Sequence, residues 1–274
     1  MKLQPDQIRK ALSKLRKQLN AIPPDPRPEA VHDLRTHTRR VEAAIAAVAL
    51  EQEKKARRLL KLIKPVRRAA GQVRDMDVMI GDVLTLCGNQ VSEPAVRLVQ
   101  HLAQMRGRNA RRLHQLVGRQ RREIRDHLKQ SSKLIRKKMK DDGSDLEGGS
   151  PPQILITELI HWPGLNVANL HLFRIRIKEL RYMLLLNEQV DAQFVDALGE
   201  AKDTIGEWHD WLELERIAHK VLDPKMDGDL LKRIEQTGRE KLRIALAMAN
   251  SVRDRYLKIP HGPRTSRKIL QMAS

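Results

Sequence analysis

The strongest constraint on the fold is a pattern that occurs twice. In VHDLRTHTRRVEAA, from Val31 to Ala44, His32, Arg35 and Arg39 stand at relative positions 0, 3 and 7. In LHLFRIRIKELRYML, from Leu170 to Leu184, His171, Arg174 and Lys178 take the same positions, and Arg181 adds a cation at position 10. At roughly 100° per residue these positions share one narrow stripe of an α-helix. Each copy therefore presents a histidine and a ladder of cations over roughly 10 Å of helix, at a rise of ~1.5 Å per residue. Leu34, Val41 and Ala44 in one copy, and Leu172, Ile175 and Leu185 in the other, are expected to face a core.

The rest of the chain is written in the same helical period. Leu3–Asn20 is amphipathic, with Ile8, Leu12, Leu15 and Leu19 on one side and Lys10, Lys14 and Lys17 on another. The prolines of AIPPDPRP stop it, and Pro28 opens the next helix at an early turn, where its missing N–H costs little. That helix is expected to run to about Glu51. Further helices are expected over Lys54–Leu86 with a kink at Pro65, Glu93–Met139, Pro152–Trp162, Val167–Glu188, Asp191–Lys220 and Gly228–Leu257. The fold class is thus all-α. The acidic, Gly- and Pro-containing segment DDGSDLEGGSPP divides the chain. The expected organisation is a basic first half (1–140), a linker (141–152), a second half (153–260) and a flexible tail (261–274).

The duplication extends beyond the histidines. Gly71, Arg74 and Asp75 recur in spacing as Gly206, His209 and Asp210. Two features in the same order at similar separation imply a duplicated four-helix unit, with the two motif helices facing a shared groove.

Charge points to the partner. The chain carries a formal net charge of +19, and residues 1–140 hold 34 Lys and Arg against 13 Asp and Glu. Such an excess, laid out as ladders along helices, fits a polyanion. The same 140 residues contain no Phe, Trp or Tyr. Readers of single-stranded nucleic acid stack bases on such rings, so phosphate is the better target. One cysteine, Cys87, gives neither a disulfide framework nor a zinc set. No apolar run approaches the ~20 residues of a membrane span, and MKLQPDQIRKAL lacks the apolar core of a secretory signal. A reduced, cytoplasmic setting is expected.

The motifs H-x-L-R-x-x-x-R-R and L-H-x-x-R-I-x-x-K-x-L-R-Y, each followed by G-x-x-[RH]-D, resemble the CHAD (conserved histidine α-helical domain) family over roughly residues 5–257. The resemblance implies two four-helix bundles related by pseudo-two-fold symmetry. It also implies binding of inorganic polyphosphate by basic residues lining a central pore or groove. By position the binding set is His32, Arg35, Arg39, Arg40, His171, Arg174, Lys178 and Arg181. The neighbouring cations Lys64, Arg67, Arg68, Arg74, Arg108 and Arg112 extend it. Two positions depart from symmetry: Glu179 matches Arg40, and Glu42 matches Arg181.

The residue chemistry suits the same ligand. Polyphosphate offers charge and no bases, which favours point charges and guanidinium forks on rigid helices. A histidine beside a polyanion would hold its proton and donate from both ring nitrogens. Asp75 and Asp210 read as carboxylates that cap a helix or pair with an arginine, and no acidic cluster for a divalent metal stands out. Trp208 and Trp211 are expected in the core of the second half. HDLRTHT looks like a histidine-kinase phospho-acceptor box, but no Gly-rich nucleotide segment follows. The chain has no P-loop and no activated nucleophile, so a binding protein is expected rather than an enzyme, with no cofactor. General nucleic-acid binding by counterion release is the alternative. Association with polyphosphate granules or a polyphosphate-metabolising enzyme would follow from the first reading.

Overall fold

The structure is a computed structural model that describes residues 4–20, 22–90, 92–141, 151–187 and 190–258. Among these residues there are eight α-helices and no strand. They are α1 (Pro5–Gln18), α2 (Pro28–Ala47), α3 (Lys54–Cys87), α4 (Glu93–Asp141), α5 (Pro151–Ile160), α6 (Val167–Leu184), α7 (Ala192–Val221) and α8 (Gly228–Tyr256). No described helix is long and apolar enough to cross a membrane. Most of the expected linker and the whole expected tail at 261–274 lie outside the described residues.

Local chemistry explains most boundaries. Pro5 and Pro28 sit in the first turns of α1 and α2, where an N–H would have no partner anyway. α6 opens on a reciprocal cap: Asn166 accepts from the Ala168 N–H at 2.9 Å, and its own N–H donates to Asn169. Asp191 caps α7 by accepting from Gln193 and Phe194. α3 runs through Pro65 without interruption.

α2 ends at Ala47, four residues before the expected Glu51. The chain turns there on Ala49 at φ 52°, with the Leu50 N–H bonded to the carbonyl of Ile45 at 3.0 Å. This is the left-handed stop that glycine usually supplies, so the sequence carried no signal for it. Ala49→Gly is expected to stabilise the fold by about 1 kcal/mol in a denaturant titration, because the Cβ penalty of that conformation disappears.

The helices pack in a repeated series. α1 lies on α2, α2 on α3 and α3 on α4; likewise α5 lies on α6, α6 on α7 and α7 on α8. α2 also touches α6, and α3 touches α7, which brings the two motif helices and their followers to the middle of the molecule. The apolar interior is not divided as the chain is. One cluster gathers Leu15, Leu34, Val66 and Leu113 with Leu159, Phe173, Ile205 and Trp208. A second joins Met76, Val83, Leu98 and Leu102 of α3 and α4 to Trp211, Leu214 and Ile234 of α7 and α8. Trp211 is therefore buried against the first half as well as its own. Arg97 of α4 clamps the same end by donating to both Asp227 oxygens, at 2.7 and 2.8 Å.

One core expectation fails. Leu172, Ile175 and Leu185 are 56%, 39% and 40% exposed. α6 is apolar on two of its three faces, so composition cannot say which face goes inside. Leu170, Phe173, Ile177, Leu180 and Leu184 take the core. The cation ladder takes the adjoining face, and Leu172 and Ile175 are left on the third.

Candidate functional site

α2 and α6 carry their ladders at the same angle from their core stripes, which follows from the matched spacing of Leu34–Thr38–Val41 and Phe173–Ile177–Leu180. The side chains of the two ladders then act on one another. Arg35 bears electrostatically on Arg174 and Lys178, and Arg39 on Lys178. Tyr182 of α6 lies near enough to Arg39 to act on it. Arg67 of α3 and Lys202 of α7 add cations beside Arg39 and Lys178.

This cluster is buried and short of counter-charge. Lys178 is only 6% exposed, and Arg35, Arg39 and Arg174 are half-buried. Among the described residues none of these four has an ion-pair partner, although Arg67 bonds Glu42 at 2.8 Å and Lys202 pairs with Asp203. The Nε of Arg39 and the Nδ1 of His171 are closed off from solvent with no hydrogen-bond partner among the described residues. Burial, then the neighbouring cations Arg39, Arg35, Arg174 and Lys202, push the Lys178 ammonium down to about 5. Burial and Arg67 likewise lower Arg39 to about 10.

The acids that face these cations are Asp75 of α3 and Asp210 of α7. Burial raises both, against the pull of Arg35 and Arg174, and Asp210 reaches about 6, helped by Asp75 and Asp82. Neither stands within ion-pair distance of an arginine among the described residues, so they neutralise the cluster from a distance. Cations and carboxylates are both pushed toward neutrality here, as expected where little water reaches charged groups.

Gly206 sets how closely Arg174 approaches, whereas Arg35 makes only an ordinary contact at Gly71. A Cβ on Gly71 would stand 3.9 Å from the Arg35 Nε, and one on Gly206 would stand 3.0 Å from the Arg174 Cζ. The glycine of each G-x-x-[RH]-D element thus faces the arginine at position 3 of the preceding motif. Arg174 donates from Nε to the carbonyl of Lys202 at 3.0 Å, one turn before Gly206. Arg181 does the same to Val195 at 3.1 Å, one turn before Gly199.

The histidines are placed unequally. His32 is exposed, with its Nε2 3.4 Å from the Thr36 hydroxyl on its own helix. His171 is half-buried and lies against His209, ring centroids 4.2 Å apart. Burial lowers both, and His209 falls to about 4, helped by His171 and Arg174. No described interaction joins His32 to His171. Of the remaining expected residues, Arg40, Lys64 and Arg68 are exposed beside the cluster's helices. Arg74 is half-buried near Asp82. Arg108 and Arg112 are exposed on α4, with no described contact to the central cations.

Lys202 and Gly199 were not singled out from the sequence. The signal for Gly199 was present, because Gly199 and Gly206 have the seven-residue spacing of Arg174 and Arg181. Glu215, His219 and Glu235 could meet a metal ion, their ligand atoms lying within 4.8 Å of one another. Already, His219 bonds Glu235 at 3.1 Å and Arg239 approaches that carboxylate at 3.7 Å.

A family model described as the CHAD domain matches residues 6–219. The fold is similar to that in the crystal structure of the CHAD domain from the plant Ricinus communis, with a TM-score of 0.61 at 16% identity. That likeness covers 91% of this chain and 89% of the plant one. No match was found among curated proteins. With paired histidine motifs on facing helices, glycines against their arginines and a family model spanning most of its length, the chain belongs to the CHAD domain family.

Proposed function

We propose that the chain binds inorganic polyphosphate between the facing ladders of α2 and α6, as a binding module rather than an enzyme. The observation that carries this reading is the meeting of Arg35, Arg39, Arg174 and Lys178 with no ion-pair partner among the described residues. Buried cations are costly unless paired, and an anion that supplies the missing oxygens would remove that cost. The unsatisfied Arg39 Nε and His171 Nδ1 point the same way. Guanidinium groups suit a chain of phosphates, since each can donate two parallel hydrogen bonds.

The two four-helix halves are taken here as related by a pseudo-two-fold axis, a reading supported by the matched series of helix contacts. The site is nevertheless unequal, since Glu42 and Arg181 occupy equivalent positions. Action in the cytoplasm, at polyphosphate granules or beside a polyphosphate-metabolising enzyme, belongs to the same proposal. General nucleic-acid binding is favoured by one separate observation. The exposed Arg108, Arg111, Arg112, Arg119, Arg122 and Arg125 line the outside of α4.

Competition at fixed salt tests the choice. Unlabelled polyphosphate is expected to displace a fluorescent polyphosphate at far lower phosphate concentration than DNA or RNA does. If the three compete equally per charge, affinity is generic counterion release and the polyphosphate reading fails.

A further inference from the structure

The chain positions two of its arginines with backbone rather than with acids. In a helix each Cβ leans toward the N-terminus and covers the turn before its own residue. At Gly206 and Gly199 that cover is missing, and the carbonyls one turn earlier, on Lys202 and Val195, are open from the side. Arg174 and Arg181 lie over these gaps and donate Nε–H to those carbonyls, at 3.0 and 3.1 Å. A Cβ at Gly206 would stand 3.1 Å from the Arg174 Nε, and one at Gly199 3.0 Å from the Arg181 Nε. Both contacts are tighter than most side chains make, and a Cβ at Gly206 would also run into a terminal nitrogen of Arg174, so each arginine would have to shift if its glycine gained a side chain. The two rungs repeat with one geometry, as their equal seven-residue spacings on α6 and α7 require.

Resting on the polyphosphate reading, we propose that Gly199 and Gly206 are positioning residues. They fix Arg181 and Arg174 as two forks about 10 Å apart along α6 and so select long, linear polyphosphate over short phosphates. Each Nε is occupied by backbone, which spends one donor and locks the plane of the guanidinium. The terminal nitrogens of both arginines have no described protein partner and remain free for ligand oxygens. Pyrophosphate takes the Arg174 fork, where Arg35 and Lys178 add their charge, and leaves the Arg181 fork empty. A long chain occupies both, and its second contact forms without a second loss of translational freedom. The first half has no such rack at the equivalent place, because Glu42 stands where Arg181 does and is bonded to Arg67 at 2.8 Å. The length-sensing step therefore belongs to α6 and α7.

The test measures affinity for pyrophosphate and for long-chain polyphosphate in the wild type, Gly199→Ala and Gly206→Ala, with circular dichroism and thermal melting on each. Alanine favours a helix over glycine, and the crowded atoms end a flexible side chain, so both variants are expected to stay folded. Gly199→Ala should weaken long-chain binding by about tenfold, the value of one charge-assisted contact, and leave pyrophosphate binding unchanged. Gly206→Ala should weaken both. If Gly199→Ala leaves long-chain binding intact, or lowers both ligands equally, the rack does not sense length. If the wild type binds neither ligand, the polyphosphate reading itself falls, and the rack's role with it.

Discussion

Replacing Arg35 and Arg39 together with alanine is expected to weaken polyphosphate binding by a factor of about 100 or more, with helical circular dichroism retained. Each guanidinium supplies charge-assisted contacts of about 1.5–3 kcal/mol, and two such losses multiply in the binding constant. The fold should survive because neither arginine has an ion-pair partner among the described residues, and removing a buried cation relieves the crowding around Lys178. The salt dependence should also flatten, by roughly one unit of log–log slope for each phosphate no longer neutralised. The paired control is Arg108→Ala with Arg112→Ala on the outer side of α4, expected to change affinity by less than about threefold, as for an exposed charge. The opposite outcome, with the α4 variant inactive and the α2 variant normal, would move the site off the motif helices altogether.

The difference between these variants marks what the sequence could and could not say. Helical spacing placed His32, Arg35 and Arg39 on one stripe, and the eight helices lie close to where periodicity, prolines and caps put them. The equivalence of Gly71 and Gly206 was visible as spacing. What each does appears only when the helices are packed: Gly206 admits a close approach of Arg174, while Arg35 makes an ordinary contact at Gly71. Spacing alone made His32 the equal of His171. Yet one is exposed against Thr36, and the other is half-buried against His209 on α7. The face of α6 that enters the core was illegible for a different reason. Leu172 and Ile175 are as apolar as Leu170 and Ile177, so only the demands of the ladder on the adjoining face settle which pair is left outside. Lys202 could not be found because its role depends on a neighbour on another helix, Lys178.

Burial of that neighbour changes how the site should respond to pH. In the empty protein Lys178 is held near 5 by burial and by Arg39, Arg35, Arg174 and Lys202, so at pH 7 its amine is largely neutral. Asp75, the carboxylate that acts on it, is itself raised by burial and cannot fully restore the charge. A phosphate chain laid against the ladder brings negative charge to the amine and raises its pKa in the complex. Binding near neutral pH should therefore take up protons. The sign follows directly. The contribution of Lys178 to affinity is fully present below about 5, where the free protein already holds the proton. It is lost as pH rises through the higher pKa of the complex, by up to about tenfold per pH unit for one proton. Asp210, at about 6 in the empty site, would be raised further by the ligand and adds uptake of the same sign, as do the lowered His171 and His209. Calorimetry in two buffers of different ionisation enthalpy measures the number of protons, and Lys178→Met isolates the amine while filling its space. The variant should take up clearly fewer protons at pH 7 and show a flatter affinity profile above about 5, while Asp210→Asn removes only the part that begins near 6 and extends above it. Equal uptake by the wild type and Lys178→Met would show that the anion does not reach the buried ladder, and the binding site would then have to be sought on the exposed cations of α3 and α4.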